Sequence, residues 1–413
     1  MGPGTQAGRQ DEAEFSLPRH RPFACFWLAR VSTTVAFHIM GVSIGLQLYK
    51  LTGNPLDLGL VGLMQFLPII PLTLAVGPIA DRFDRRRIIS ICEVVVGLAV
   101  ALLLIGTLTG RLGRNSILAI VFIVGTARAF ELPTMVALLP NLVPRQVIPR
   151  ATAMWASANQ TAQIVGPAIG GLLYWLSPGL AYATSALLFL NASMLVLLIR
   201  TEPSERKPEP VSSTSLFSGF TYVRNNPVLL GVFSLDLFAV LFGGVLALLP
   251  VFAQDVLHTD ARGLGLLRSS PAIGALIMSV LLANYRLRGP IGTIFFAVVG
   301  LYGVGTAMFG LSQSLGLSMA ALVVVGAADV VSVVIRASLM QLQTPDSLRG
   351  RVSAAFSMFT GTSNQLGEFR AGLVASTIGA VPAVVLGGAM TMLFALTWMR
   401  LFPQLRGIRK LEA

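Results

Sequence analysis

The residues of this sequence that could do chemistry are ionisable side chains that interrupt long apolar stretches. A charged group removed from water is costly unless it is paired or hydrogen-bonded, so each of these residues needs a partner or a function. Charge pairing and proton transfer are the two kinds of chemistry that such residues offer. They are Arg30, His38, Glu93, Arg128, Glu131, Asp236, Arg268, Asp329, Arg336, Glu368 and Arg370.

The spacing of these residues indicates which of them pair. Arg128 and Glu131 lie three residues apart, on one face of a helix, and can pair directly. Asp329 and Arg336 lie seven residues apart, two turns along one face, so we expect each to find partners on other helices. Desolvation and a nearby arginine act on a buried carboxylate in opposite directions, which would let one carboxylate load and release a proton. Static salt bridges between helices are the alternative for each residue.

The elements that must position these residues are membrane-spanning helices. Of the 413 residues 54% are hydrophobic and only 12% are charged, whereas a soluble domain carries about 25% charged residues. A soluble protein is therefore excluded. A spanning helix needs about 20 mostly apolar residues, and the pattern predicts an all-α membrane protein of twelve such helices, at 23–50, 56–80, 88–109, 116–140, 149–176, 179–200, 228–254, 263–283, 291–311, 315–341, 352–378 and 381–402.

Polar segments divide the chain into two halves. Residues 1–22 form a tail that is too long and too acidic for the start of a cleaved signal peptide. The longest polar interruption, 201–226, is rich in Pro, Glu and Ser and is typical of a flexible linker. It separates a six-helix half at 23–200 from a second at 227–402, which is followed by a tail at 403–413.

The net charge of +12 is distributed in a way that predicts the topology. If the N-terminus is inside, 21 of the 30 Lys and Arg residues fall in cytoplasmic segments. This excess follows the positive-inside rule and predicts that both termini are cytoplasmic. It leaves no basic surface for nucleic acid. The outer loops hold only Lys50, Arg111, Arg114 and Arg262.

The two halves also repeat at a constant offset of 201 residues. The offset superimposes Asp329 on Arg128, so opposite charges occupy equivalent points of the halves. Parallel repeats of six spans are typical of a transporter that rocks around a site near the bilayer midplane. The other superimposed pairs include Arg85 with Arg286, Arg87 with Arg288, Pro144 with Pro345, Arg150 with Arg351, and Gly166 with Gly367.

The loop motifs resemble those of the major facilitator superfamily, and the resemblance extends over the whole chain. Residues 77–87, GPIADRFDRRR, resemble the superfamily's signature loop between spans two and three. Asp84 stands where a glycine is usual, and an acidic residue there is similar to the enterobactin (siderophore) exporter branch. Residues 342–352, LQTPDSLRGRV, are similar to the same branch. The resemblance implies a twelve-helix secondary transporter.

The signature loop suggests a gate at the cytoplasmic face. An acidic residue at the end of span two can accept hydrogen bonds from the N-terminus of a neighbouring helix, and the basic run can bridge to acidic groups or carbonyls of the opposite half. We expect a latch that closes the cytoplasmic side; a topology anchor is the alternative. The gate residues are Asp81, Arg82, Arg85, Arg86, Arg87, Arg349 and Arg351.

Span five carries a second motif. Gly166, Pro167, Gly170 and Gly171 resemble the Gly-Pro motif of the superfamily's antiporters, although Ala162 stands where a further glycine is usual. Proline removes a backbone hydrogen bond and glycine permits close approach of helices, so span five should bend or pack tightly there. Ordinary helix packing, with no role in the direction of transport, is the alternative.

The resemblance implies that spans one, four, seven and ten line a central cavity. Arg128, Glu131 and Asp329 are expected to form a coupled network in it, with Asp236 as a further acidic member. On the same four spans lie Arg30, Arg336 and His38, which could relay a proton or form part of the wall. Aromatic and amide candidates for the wall include Phe37, Trp155, Asn159 and Tyr302. Glu93 and Arg268 lie on spans expected to be peripheral and should pair structurally or serve a gate, and static pairing is also favoured for Glu368 with Arg370.

The sequence favours a secondary exporter of the inner membrane that works as a monomer. It lacks a phosphate-binding glycine loop, a paired-histidine metal motif and a nucleophile elbow, so neither a cofactor, a metal nor enzyme activity is expected. The expected solute is a siderophore-like or drug-like amphiphile, exchanged for protons. The alternatives are a multidrug, macrolide or lipid carrier on the same fold and, from another class, a receptor or scaffold that transports nothing.

Overall fold

A computed structural model of the chain describes residue 17, residues 20–72, residue 79 and residues 82–199, 213–285 and 289–409. All regular elements within these ranges are helical. The long helices are α1 (Arg21–Thr52), α2 (Pro55–Phe66), α3 (Arg85–Leu108), α4 (Arg114–Leu138), α5 (Ile148–Leu176), α6 (Pro178–Leu197), α7 (Ser213–Asn225), α8 (Pro227–Gly243), α9 (Ala261–Asn284), α10 (Ile291–Leu311), α11 (Leu315–Gln343), α12 (Asp346–Ile378) and α13 (Ala380–Leu401).

Short helical turns connect or extend some of these helices. They are 3-10 turns at Leu139–Asn141, Arg145–Val147 and Leu246–Leu248, an α turn at Leu249–Val251, a π turn at Phe252–Val256, and a last helix, α14, at Pro403–Arg406.

The helices agree with an all-α membrane fold of twelve spans. Within the described ranges, ten helical segments are long and apolar enough to cross a membrane. The other two predicted spans correspond to α5 and α12, which contain more polar residues but are 29 and 33 residues long. At about 1.5 Å per residue each exceeds the roughly 30 Å of a bilayer core. The linker helix α7, with 13 residues, is too short to span.

Side-chain caps decide where three helices begin. Asp84 accepts a hydrogen bond from the backbone N–H of Arg86 at 2.9 Å and caps α3. Asn226 and Asp260 cap α8 and α9 in the same way. Each cap satisfies backbone N–H groups that have no partner within the helix. At the other end of the chain Gly379, with φ of 91°, ends α12 and allows the sharp turn into α13.

The chain divides into two compact units. Unit 1 consists of residues 1–43 and 67–210, and unit 2 consists of residues 44–66 and 211–413. Within the described ranges unit 1 therefore holds the first part of α1 and helices α3–α6, and unit 2 holds the end of α1, α2 and helices α7–α14. The six-helix halves inferred from the repeat stay a prediction.

Each unit has its own apolar core. In unit 1, Phe23 and Phe26 of α1 are 1% exposed and pack with Ile89 of α3 and Met135 of α4. Where α3 meets α6, the hydroxyls of Ser90 and Ser193 lie 2.7 Å apart. In unit 2 the buried cluster joins α8, α10, α11 and α13. These cores hold the helices that carry the ionisable residues in fixed rotations.

Candidate functional site

A buried ionic cluster joins α1, α4 and α5 in unit 1. Arg30 Nη1 lies 3.5 Å from Glu131 Oε1, and Arg128 Nη1 lies 3.8 Å from Glu131 Oε2. Glu131 is 1% exposed and Arg30 is 8% exposed. The structure thus contains the pair of Arg128 and Glu131 that the spacing predicted, and it adds Arg30 as a second cation on the same carboxylate.

Polar and aromatic side chains complete this cluster. Arg30 Nε donates to Asn159 Oδ1 of α5 at 2.9 Å, and the hydroxyl of Thr34 donates to the same oxygen at 3.2 Å. The Arg128 guanidinium stands 3.8 Å from the ring centre of Phe37, and that of Arg30 stands 5.4 Å from the ring of Trp155. Cation–π contacts of this kind stabilise a charge that has lost its water.

Glu93 of α3 lies beside this cluster. Its Oε1 accepts a hydrogen bond from the hydroxyl of Thr33 at 2.5 Å, while Oε2 has no hydrogen-bond partner among the described residues. The residue is 1% exposed. The rotation of α3 thus turns the carboxyl of Glu93 toward α1, and the expectation that this residue pairs structurally or serves a gate stays a prediction.

The glycines of α5 pack against α1. A Cβ on Gly166 would lie 2.8 Å from His38 Cβ, and a Cβ on Gly170 would lie 2.9 Å from Ile39 Cα. Pro167 lies inside α5 without ending it, and Gly171 is buried beside it. Of the two outcomes expected for span five, tight packing is present, and it places His38 at the seam between α1 and α5.

A second ionic cluster lies in unit 2. The guanidinium of Arg336 on α11 forms an ion pair with the carboxylate of Asp236 on α8, and the two side chains are 4% and 6% exposed. Asp329 Oδ1 lies 3.8 Å from Arg336 Nη2 and its side chain is 49% exposed. As predicted, Arg336 thus has a partner on another helix, whereas Asp329 lies near Arg336 of its own helix. The long arginine side chain covers the two turns between them.

Two cavities adjoin this second cluster. One, of about 20 Å³, is lined by Asp236, Tyr302, Asp329 and Ser332 among others. The other, of about 160 Å³, is lined by Tyr302, Asp329, Asn364 and Glu368 together with apolar residues of α8, α9 and α11. Asp329 and Tyr302 therefore border both spaces.

Three further predicted residues of unit 2 also interact with other helices. Arg268 of α9 and Glu368 of α12 attract each other electrostatically. Arg370 has its contacts with α8 instead of with Glu368. Its Nη2 donates to the carbonyl of Phe242 at 2.7 Å, and its guanidinium carbon lies 4.8 Å from the centre of the Phe242 ring. The static pair predicted within span eleven is therefore replaced by two contacts to other helices.

The basic run after span two is anchored inside unit 1. Arg86 donates to both oxygens of Asp84 and, through Nη1, to the carbonyl of Ile199 at 2.6 Å. Arg85 Nη1 donates to the carbonyl of Ala137 at 2.8 Å. Both carbonyls lie near the C-terminal ends of helices, α6 and α4, where a cation is favoured. The hydrogen bond from Arg86 keeps the pKa of Asp84 below its usual value.

The other gate residues lie at the surface, against α7 or outside the described ranges. Arg82 and Arg87 are exposed. Asp81 lies outside the described residues. Arg349 forms a surface pair with Asp346 at 2.6 Å, and both side chains are exposed, so this pair is worth little energetically. The backbone of Arg351 lies against α7, where a Cβ on Gly219 would be 2.6 Å from the Arg351 carbonyl oxygen. A bridge from the basic run to the opposite half stays a prediction.

The structure groups the predicted residues into two sets, one within each unit. Arg30, Arg128 and Glu131 meet in unit 1, and Asp236, Asp329 and Arg336 meet in unit 2. A network that joins Arg128 to Asp329 stays a prediction. The sequence interpretation missed Thr33 and Thr34, because a threonine one turn from an arginine in an apolar helix gives no distinct signal. No group of three or more His, Cys, Asp or Glu side chains within the described ranges could hold a metal.

Comparisons with known proteins identify the family. The family model described as "Major Facilitator Superfamily" matches residues 24–368 of this chain. The chain belongs to the Major Facilitator Superfamily. Enterobactin exporter EntS of Citrobacter koseri is 24% identical over 408 residues, which are 95% of each chain. The protein of the same name from Escherichia coli O1:K1 is also 24% identical, with the same coverage.

Solved structures of other transporters share the fold. The nucleoside transporter NupG superposes with a TM-score of 0.71 at 14% identity, covering 92% of this chain and 99% of its own. A bacterial homologue of the lysosomal transporter Spinster, inward-facing and unoccupied, superposes with a TM-score of 0.74 at 14% identity, covering 94% and 98%. This superfamily member is therefore a multi-pass membrane transporter of small molecules, with the family and fold of transporters and not of enzymes.

Proposed function

We propose that this superfamily member is a proton-coupled exporter of the bacterial inner membrane. It moves a siderophore-like or drug-like amphiphile from the cytoplasm to the periplasm by alternating access. The names of the relatives, enterobactin exporters that align over 95% of the chain, support the direction and the class of solute. The inner-membrane location and the cytoplasmic termini rest on the distribution of Lys and Arg.

The observation that carries the proposal is the position of Asp329. Its carboxylate borders two cavities and lies 3.8 Å from Arg336, which is itself paired with the buried Asp236. A carboxylate exposed to a cavity can exchange a proton with water. Its loss of charge weakens its attraction for the arginine, so the proton changes the contacts between α8 and α11.

The cluster in unit 1 supports the class of solute. Two arginines stand against the aromatic rings of Phe37 and Trp155, with the amide of Asn159 beside them. Cationic and aromatic groups of this kind suit a partly aromatic, partly anionic amphiphile such as a catechol siderophore. The basic run at Arg85 and Arg86 then belongs to the cytoplasmic gate, of which Asp81 is a further member.

The proposal is tested in a bacterial strain that lacks its own enterobactin exporter. Under iron starvation, cells that express the wild-type chain should release enterobactin into the medium, whereas Asp329→Asn should retain it. We expect the release of enterobactin to fall about tenfold. A change of this size corresponds to a coupling free energy within the usual range of about 1–3 kcal/mol. A protonophore should abolish the wild-type release. Secreted and retained catechol are measured together with the amount of protein in the membrane.

Asp260→Asn is the matched control. It removes an equal charge from the loop before α9, and asparagine keeps the cap, so release should stay at the wild-type level. Absence of release by correctly inserted wild-type protein, together with resistance to a panel of amphiphilic drugs, would point to the multidrug alternative. If release continues unchanged after the proton gradient is collapsed, transport is not coupled to protons.

A further inference from the structure

Glu93 is a fully buried carboxyl group that the proposed mechanism has not used. It is 1% exposed, its Oε1 has one donor, the hydroxyl of Thr33, and its Oε2 has no hydrogen-bond partner among the described residues. An ionised carboxylate can accept about four hydrogen bonds and is costly to bury with fewer. The neutral carboxyl can be buried with fewer hydrogen bonds at a much smaller cost. The surroundings of Glu93 in this structure therefore suit its protonated form.

The charges that face Glu93 come from two helices. Arg30 lies on α1, and Arg128 and Glu131 lie on α4; all three interact with Glu93 electrostatically. Helix α6, which packs against α3 on another side, contains no charged residue. Both arginines are directed at Glu131, at 3.5 and 3.8 Å. Glu131 thus has two cationic partners, whereas Glu93 relies on a neutral hydroxyl.

Arg30 is the residue through which a change at Glu93 would reach other helices. It links α1 to α4 through Glu131 and to α5 through Asn159. It is also three residues before Thr33, the donor to Glu93, and so lies on the same face of α1. An ionised Glu93 would compete with Glu131 for Arg30, because both carboxyl groups interact electrostatically with this arginine.

We propose that Glu93 carries a proton in the transport cycle and that its charge decides whether Arg30 is bound by Glu131 or by Glu93. When water reaches the Glu93 carboxyl, its O–H bond breaks, the proton passes to water and the electron pair stays on the carboxylate. Arg30 then turns toward Glu93 and releases the contacts that hold α1 to α4 and α5. Reprotonation restores the arrangement of the present structure. The inference rests on the proposed proton-coupled export.

The test measures how the rate of enterobactin accumulation in inside-out vesicles depends on pH. Glu93→Gln keeps the shape of the neutral carboxyl, so the variant should insert normally and still exchange enterobactin across the membrane. Its net transport should lose the part of the pH dependence that titration of Glu93 contributes, while the part from Asp329 remains. Glu93→Asp should restore the lost part, because it returns an ionisable group. A Glu93→Gln profile that matches the wild type would overturn the inference.

Two further variants separate this inference from loss of folding and from failure of the proposed function. Thr33→Val removes the hydroxyl that donates to Glu93 and leaves every charge in place, so it should move the pH midpoint of transport. An unchanged midpoint would contradict the role of Glu93. Ser90→Ala, one turn earlier on α3, removes a buried hydrogen bond to Ser193 and should leave the profile unchanged. If the wild type shows no proton-dependent transport at all, the proposed function fails and not this assignment alone.

Discussion

At the scale of single residues, the structure explains the acidic residue in the loop after span two. Asp84 caps α3 through the N–H of Arg86 and binds the guanidinium of the same residue with both carboxylate oxygens. The glycine that is usual in this position could do neither. Arg86, held in this way, also reaches the Ile199 carbonyl at the end of α6. Asp84 therefore stabilises the attachment of the loop to unit 1.

Asp84→Ala should lower the free energy of unfolding by about 1 kcal/mol through loss of the cap, whereas Asp84→Asn should lose less because asparagine also caps. The pKa of Asp84 is lowered in the folded protein by Arg86. Its stabilisation is therefore present above the unfolded pKa of about 3.9 and is lost as the pH falls through the folded value.

Thermal unfolding of the purified protein in detergent at several pH values measures both effects. The difference in Tm between wild type and Asp84→Asn should shrink as the pH falls below 4. A difference that grows on acidification would contradict the role assigned to the carboxylate.

At the scale of helices, glycine decides how closely α5 approaches α1. A Cβ on Gly170 would meet backbone of α1, 2.9 Å from Ile39 Cα, and a Cβ on Gly166 would meet His38. Association of helices inside a membrane depends on such close packing, because lipid chains are as apolar as the helix surfaces. Pro167 removes one hydrogen bond without ending α5. The contact sets the positions of Asn159 and Trp155, which lie on α5 within reach of Arg30.

Gly170→Ala should destabilise the protein by about 1–3 kcal/mol, since the added methyl group must displace the backbone of α1. Gly361→Ala on α12 is the matched control, because a Cβ there meets nothing within 4 Å. It should be neutral or stabilising by about 0.5–1 kcal/mol, as alanine is the better helix former. Melting in detergent distinguishes the two. Equal Tm values for both variants would show that α1 and α5 tolerate a wider separation.

At the scale of the whole molecule, the two compact units do not follow the chain order. α1 begins in unit 1 and ends in unit 2, and α2 belongs to unit 2. The C-terminal end of α1 is attached to unit 2 by the hydroxyl of Tyr49, which donates to the carboxylate of Asp255. One continuous helix thus contributes residues to both units.

The distribution of Lys and Arg predicts that both ends of the chain face the cytoplasm. Alkaline phosphatase fused after residue 409 should be inactive in cells, and a green fluorescent protein in the same place should fluoresce. Fusions after Gly110, in the loop between α3 and α4, should give the opposite pattern. Active phosphatase at the C-terminus would reverse the assigned topology and, with it, the direction of the proposed export.

Much of the architecture followed from local properties of the chain. Hydropathy adds up along a segment, so the spans, including the polar α5 and α12, were predictable from runs of apolar residues and their interruptions. Spacing within one helix was equally informative, and it placed Arg128 beside Glu131. The family motif in residues 77–87 identified the transporter fold, although Asp81 itself lies outside the described residues.

Contacts between helices were decided by the tertiary structure. That Arg336 binds Asp236 and that Glu93 faces Thr33 depends on how each helix is rotated and on which neighbour it meets, and packing across the whole unit sets both. Residues 33 and 93 are 60 positions apart, with no periodicity to relate them. The sequence by itself therefore determined that these charges are buried in membrane helices, while only the tertiary structure decided which of them meet.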